Sequence, residues 1–454
     1  MTVSTIFAQA TAPGRAGIAV FRISGPQSAR VLEGLTRTAL PAPRRAARRT
    51  LWSADGLGPE PIDDALAIWF PGPASFTGED LVELHVHGSM AVVAALAQEL
   101  KVHHNLVLAE PGEFTRRAFD NGKLDLTEVE GLADLIAAET EAQRRQAMRQ
   151  AGGALSRLYE GWREKLVNAL ARLEAAIDFP DEDLPPDLIP AVDQAMAAAE
   201  EAIGLHLDDG RRGERLRDGL SIAILGAPNA GKSSLLNRLA RREAAIVSTQ
   251  AGTTRDVIEL HLDLGGYPVT LADTAGLRET VDAIEAEGVK RAFDRAAAAD
   301  LKLLVLDGTA LGTERPLIDA ETAKLIDDDA LLVLNKADLA GGASGADMPR
   351  EIAGHAVLPV SALTGAGIEQ LVEALSTTAG ARLALGTAPA LTRERHRAAL
   401  ERCQAALLRG IDAELPELKG EDLRLAVQAL GEITGRVDVE EILDRIFREF
   451  CIGK

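Results

Sequence analysis

One loop constrains this chain more than any other stretch of it. The run Leu220-Ser-Ile-Ala-Ile-Leu225 is short, continuous and apolar, as suits a strand buried on both faces. It leads into Gly226-Ala-Pro-Asn-Ala-Gly231-Lys232-Ser233, and the residues from Ser234 to Ala240 then have helix-forming composition. This is G-x-x-x-x-G-K-S with a strand before it and a helix after it, the context a phosphate-binding loop requires. The glycines let the backbone wrap phosphates with its N–H groups turned inward, and the helix N-terminus adds partial positive charge. Lys232 reaches the β and γ oxygens, and the Ser233 hydroxyl can ligate Mg²⁺. From 220 to 380, apolar runs alternate with helical stretches, the pattern of a parallel sheet covered on both faces.

That loop implies a nucleotide, and later motifs choose guanine. Asp273-Thr274-Ala275-Gly276 ends an apolar run; the acid can hold the metal through water, and the Gly276 N–H can sense a γ-phosphate. Asn335-Lys336-Ala337-Asp338 ends another. A carboxylate there accepts two hydrogen bonds from the N1 and 2-amino edge of guanine, whereas adenine leaves buried polar groups unpaired. Ser361-Ala362-Leu363 closes a third run and would lie beside the base. Between the phosphate loop and Asp273 stands Gly252-Thr253-Thr254-Arg255-Asp256, where Thr254 offers Mg²⁺ a second hydroxyl. Five motifs in this order imply GTP hydrolysis.

One customary part is missing. Ras-like GTPases place a water-orienting glutamine directly after D-x-x-G; here that position is Leu277. Downstream, Asp282, Glu285 and Glu287 offer carboxylates, and spacing does not choose among them.

The rest of the chain changes texture twice. Up to about residue 120 it reads as mixed α and β, with strand-like runs at 18–23, 65–70 and 81–86. From 124 to about 204, and again from 391 to 450, Ala, Leu, Glu and Arg recur at helical spacing. The expected architecture is an α/β P-loop GTPase domain (216–380) inserted in an all-α helical domain (121–215 and 381–454), preceded by an α+β domain (1–120). No run is apolar for long enough to span a bilayer, and Pro13, Gly14 and Arg15 break the N-terminal stretch, so a cytoplasmic protein with no membrane association is expected. Two cysteines, Cys403 and Cys451, are too few for a disulfide framework. A formal charge of −20 excludes a generally basic, nucleic-acid-coating surface, while leaving room for local contacts at arginine pairs such as Arg44–Arg45, Arg48–Arg49 and Arg144–Arg145.

The chain also resembles a known family from end to end, the tRNA-modifying GTPases of the MnmE (TrmE) type. The resemblance rests on Pro-Gly-Arg15-Ala-Gly, Phe21-Arg-Ile-Ser-Gly25, Ser75-Phe-Thr-Gly-Glu-Asp80, Pro111-Gly-Glu-Phe114, Lys123-Leu-Asp-Leu126, Asp273-Thr-Ala-Gly-Leu-Arg278 and the terminal Cys451-Ile-Gly-Lys454. It implies a folate-binding, dimerising N-terminal domain and joint action with the FAD-carrying flavoprotein MnmG, as a heterotetramer, on C5 of the wobble uridine of certain tRNAs. A tetrahydrofolate such as 5-formyltetrahydrofolate would supply the one-carbon unit. By this resemblance Arg22, Glu83, Lys123 and Lys454 contact folate, and Cys451 serves the modification. Nucleotide contacts extend over Asn229, Ala230, Gly231, Lys232, Ser233 and Ser234, and over Ser248, Thr249, Gln250, Ala251, Gly252, Thr253 and Thr254. A potassium ion held by Asn229, Ser248, Gln250 and Thr253 would take the place of an arginine finger. Glu285 matches the family's water-orienting acid and, with Lys232, would be catalytic. A ribosome-assembly GTPase, a switch rather than a modifying enzyme, would share every nucleotide motif; the N-terminal domain and the Cys451-Ile-Gly-Lys454 tail separate the two.

Overall fold

The computed structural model describes residues 4–53, 59–102, 106–179, 185, 188–242, 259–273, 299–311, 317–318, 323–324, 326–340, 348–386, 388–437, 443, 446–447, 450 and 452–453. The chain forms two compact units, Met1–Ala133 with Gln150–Met196 and Ala405–Lys454, and Asp134–Arg149 with Ala197–Gln404. Among the described residues, no helix is long and apolar enough to cross a membrane.

The first unit opens with β1 (Ile6–Gln9), β2 (Ile18–Ser24), α1 (Ser28–Thr36), β3 (Ala47–Ser53), β4 (Glu60–Phe70), β5 (Leu81–His87), α2 (Met90–Val102), β6 (Val107–Leu108) and α3 (Glu113–Asp120). Its six strands lie in the order β3-β4-β5-β2-β1-β6, antiparallel except for β1 beside β6. Strand side chains alternate between faces. Phe21 and Ile23 of β2 and Val82, Leu84 and Val86 of β5 therefore enter one core with Leu32, Leu35, Leu96 and Leu100 from α1 and α2. Burying each such side chain contributes about 1.5–3 kcal/mol. The alternate positions Arg22 and Glu83 share the opposite face and stand in register.

Helices α4 (Leu126–Ala137), α5 (Glu141–Ala151), α6 (Ala154–Asp178) and α7 (Leu188–Leu207) follow, and α11 (Glu394–Asp412) and α12 (Pro416–Thr434) come after the GTPase segment. Helix α6 packs on α12, where Thr434 Oγ1 donates to Glu160 Oε1 at 2.8 Å. Leu443, Ile446, Phe447 and Phe450 close over Leu126 and Val129 of α4. Within the first unit, helices from two segments far apart in the chain thus pack together, as their texture led us to expect.

The second unit carries α8 (Arg212–Asp218), β7 (Leu220–Leu225), α9 (Lys232–Arg242), β8 (Glu259–Leu264), β9 (Tyr267–Asp273), β10 (Leu301–Asp307), β11 (Ala330–Asn335), β12 (Glu351–Ile352), β13 (His355–Pro359) and α10 (Ile368–Leu383). The sheet order is β12-β13-β11-β10-β7-β9-β8; the inner five strands are parallel, with antiparallel β8 and β12 at the edges. Ile222 and Ile224 of β7 face α9 and α10, while Ala223 and Leu225 face a second apolar layer with Leu304, Leu332 and Ile318. Burial on both faces explains the unbroken apolar runs. Where the chain enters and leaves this module, Asp134 accepts from Arg217 (3.1 Å) and Arg393 (2.7 Å), so one buried carboxylate ties both stems.

Candidate functional site

Because the inner strands run parallel, their C-terminal ends fall together. The register sets Asp273 beside Ile224, Leu304 beside Leu225, Asn335 beside Asp307 and Pro359 beside Leu334. The strand order reverses direction at β7, and a crevice at such a switch point is where open α/β sheets bind ligands. The phosphate loop issues there. Gly226 has φ 142°, and a Cβ on it would lie 2.1 Å from the Val305 carbonyl; Gly231 has φ 93°, and its Cβ would lie 2.2 Å from Asn335 Nδ2. Only glycine fits at either position. Asn229 sits in the left-handed region at φ 65°, which Asn tolerates, and is exposed.

Lys232 starts α9 and folds back across the loop, donating to Gly226 O (2.7 Å) and Ala227 O (2.9 Å). Its ammonium thereby stands where phosphate oxygens approach the helix N-terminus. Ser233 and Ser234, next on the helix, are exposed. A hydroxyl in that first turn fits Mg²⁺, a hard cation that takes oxygen ligands, and the exposed Asn229 side chain offers a carbonyl that suits K⁺.

Asn335 joins three motifs. Buried to 2% exposure, it donates from Nδ2 to Ala230 O (2.8 Å) and accepts at Oδ1 from Ala362 N (3.0 Å), so the end of β11 braces both the phosphate loop and the Ser361–Leu363 turn. Ser361 is buried and its hydroxyl accepts from Thr364 N (3.0 Å). From α9, Arg238 donates Nε to Ala362 O (3.0 Å) and Nη2 to Leu363 O, clamping the same turn. Ala337 N bonds to Val360 O at 3.0 Å. Asp338 then projects into solvent with no hydrogen bond among the described residues, free to accept from a base edge.

The sequence reading passed over two of these groups, Arg238 and Asp307. Asp307 ends β10 and accepts from Lys336 Nζ (2.7 Å) and from Thr309 Oγ1 (2.7 Å). Burial pushes its carboxyl upward, but the Lys336 and Thr309 hydrogen bonds outweigh this and hold it below its ordinary value. Lys336 adopts φ 62° to reach it. The signal for Asp307 was available: an acid closing an apolar run like those that end at Asp273 and Asn335. Asp273 ends β9 as expected. Ser248, Thr249, Gln250, Ala251, Gly252, Thr253, Thr254, Thr274, Ala275, Gly276 and Glu285 lie outside the described residues.

In the first unit, Arg22 and Glu83 meet across β2 and β5, Nη2 to Oε1 at 2.9 Å and Nε to Oε1 at 3.2 Å. The Arg22 guanidinium lies 5.5 Å from the Phe76 ring and 5.7 Å from that of Phe114. Its Nη1 donates to Gly453 O at 3.4 Å, so the C-terminal tail reaches the pair. Ile452 bridges to Pro111, and a Cβ on Gly453 would lie 2.5 Å from Gln9 O. Lys123 Nζ donates to Pro73 O (3.1 Å), and its stem runs along Gly78 in the loop that carries Phe76. A cation, a carboxylate and aromatic faces around one loop suit a flat ligand with an amide-like edge and an anionic tail, which is the chemistry of a folate. Cys451 and Lys454 lie outside the described residues.

Comparison with known proteins places the chain in a family. The GTP-binding protein TrmE N-terminus matches residues 5–123, and the MnmE helical domain matches residues 126–451. A tRNA modification GTPase MnmE of Paramagnetospirillum magneticum is 58% identical over 450 residues, covering 99% of each chain. Proteins of the same name from Rhodospirillum rubrum and Parvibaculum lavamentivorans are each 56% identical over the whole of both chains. The chain belongs to the MnmE (TrmE) family. The helical-domain match spans the GTPase module's residues as well.

Proposed function

We infer that this chain is a GTP hydrolase of tRNA modification that installs a carboxymethylaminomethyl-type group on C5 of the wobble uridine. It works with the flavoprotein MnmG, as a homodimer within a heterotetramer, in the cytoplasm. The observation that carries the reading is the tail at Arg22. A nucleotide switch has no use for a second site, built on an arginine–carboxylate pair and closed by the end of the chain, and on this ground the ribosome-assembly alternative is set aside. Full-length likeness to proteins named for tRNA modification supports it further.

In this reading Lys232 and the loop N–H groups hold the β and γ phosphates, and Asp338 accepts from the guanine edge. Asn335 keeps the two loops at fixed separation, so that binding energy is not lost to ordering them. Ser233 and Thr254 would hold Mg²⁺; Asn229, Ser248, Gln250 and Thr253 would hold K⁺. These cations supply positive charge where the phosphoryl group develops negative charge. Glu285 orients the attacking water in place of the glutamine that Leu277 replaces. Arg22, Glu83, Lys123 and Lys454 hold a tetrahydrofolate, and Cys451 acts in the modification step.

Mass spectrometry of wobble-position nucleosides in tRNA from a strain lacking this gene tests the reading. The C5-substituted uridine should vanish and return with the full chain. It should stay absent with a chain lacking residues 451–454, while GTP hydrolysis persists. Undiminished C5-substituted uridine in the deletion strain would refute it.

A further inference from the structure

A chain with a formal charge of −20 repels polyanions over most of its surface, so any nucleic-acid contact needs a local reversal of sign. Residues 37–53 provide one: they contain five arginines and no Asp, Glu or Lys. The fold gathers them along one border of the N-terminal sheet. Arg37 caps α1 in the left-handed conformation and lays its guanidinium 5.5 Å from the Trp52 ring on β3. Arg44, at φ 58°, turns the chain toward β3 and donates to Ala74 O at 2.5 Å. Arg48 and Arg49 lie on β3 itself, the edge strand of the sheet.

Most arginines elsewhere in the structure are neutralised. Arg144 and Arg145 on α5, for example, both bind Glu141 at 2.7 Å, and their hydrogen bonds, Arg144's first, hold that carboxyl down at about 2. At the β3 border only Arg48 has such a partner, Asp64 at 2.6 Å. Arg37, Arg44, Arg45 and Arg49 pair with no carboxylate among the described residues. Arg49 Nη1 donates to Arg48 O, and its Nε is buried with no partner. Four guanidiniums with no carboxylate partner thus lie at or near this edge of the sheet, Arg37 against the indole of Trp52, and leave a local excess of positive charge that favours an anion.

We propose that the border formed by Arg37, Arg44, Arg45, Arg49 and Trp52 binds the phosphate backbone of RNA, namely the tRNA substrate. This rests on the tRNA-modifying reading above. Arginine rather than lysine throughout suits phosphate, which the planar guanidinium fork grips through two parallel hydrogen bonds. Trp52 holds the Arg37 guanidinium against its ring and so keeps that cation at the border. A lipid surface would need exposed large apolar side chains, and among the described residues this strip carries none.

Fluorescence anisotropy with end-labelled, unmodified tRNA and the full chain, from 50 to 200 mM KCl, tests the proposal. Arg45→Gln/Arg49→Gln should weaken binding about tenfold or more at 100 mM and flatten the slope of log affinity against log salt by roughly 1.4, two contacts at about 0.7 each. Arg45→Glu alone should weaken it in the same direction, and both variants should hydrolyse GTP like the parent. The control Arg144→Gln/Arg145→Gln removes equal charge from α5 and should leave affinity and slope unchanged. Border variants that keep the parent's affinity within twofold and its slope overturn the proposal, as does an equal loss in the control. Poly-glutamate that displaces tRNA as well as an RNA homopolymer does would point to an acidic protein and overturn the RNA assignment. A parent chain that binds no tRNA at all overturns the functional reading and this border with it.

Discussion

Asn335 and Gly231 touch through a single amide, and that contact can be measured. Asn335→Ala removes the bonds to Ala230 O and Ala362 N. The buried Ala230 carbonyl left unpaired costs about 1–3 kcal/mol and the half-buried Ala362 N–H about 1 kcal/mol, so opening of β11 should become easier by about 2–4 kcal/mol. Gly231→Ala places a Cβ 2.2 Å from the same amide nitrogen and forces it aside, severing the same two bonds. It adds the cost of a side chain at φ 93°, about 1–2 kcal/mol. The double variant should therefore lose the bonds once and the backbone strain once. Its destabilisation should fall short of the sum of the two single variants by that bond loss, about 2–4 kcal/mol, at the upper end of what coupled neighbours show. Tryptophan fluorescence would miss this, because Trp52, Trp69 and Trp162 all lie in the first compact unit. Native-state hydrogen exchange of the β7, β10 and β11 amides reports it directly. Effects that add to within about 0.5 kcal/mol would mean that the amide is not a shared brace.

Asp338→Asn should weaken GTP by about 2 kcal/mol and favour xanthosine nucleotides, whose extra carbonyl suits an amide donor; unchanged affinity in a calorimetric titration would count against the base contact. Replacing K⁺ by Na⁺ should lower the steady-state GTPase rate by roughly 10²–10³, and Glu285→Ala should lose turnover while still binding GTP. Full turnover in Na⁺, or normal hydrolysis by Glu285→Ala, would break the proposed division of labour. Burial on α11 pushes the Cys403 thiol up to about 12, so it stays protonated at pH 8 and iodoacetamide should spare it until urea is added. A thiol raised above its ordinary value on folding contributes stability at neutral pH that is lost as pH rises through about 12, and labelling of Cys403 in the folded chain at pH 8 would contradict this burial.

How far the sequence reached follows from the range of the interactions concerned. The phosphate loop, the strand before it and the helix after it are written in neighbouring residues, so glycine placement and apolar runs were enough to locate them. The parallel sheet followed from strands that are apolar on both faces, and the joining of two distant helical segments from a texture that stops and resumes. The resemblance named Arg22 and Glu83, but only the pairing of β2 with β5 brought them into register. Only the tertiary structure decided what holds the sites together. The Asn335 amide reaches a carbonyl 105 residues away, Lys336 finds Asp307 across 29 residues, and Arg22 meets the tail carbonyl across 431. Such bonds depend on strand register and on how a loop returns to its sheet. No local propensity encodes either, so a residue like Arg238 looked like an ordinary surface charge until the strand ends were seen side by side.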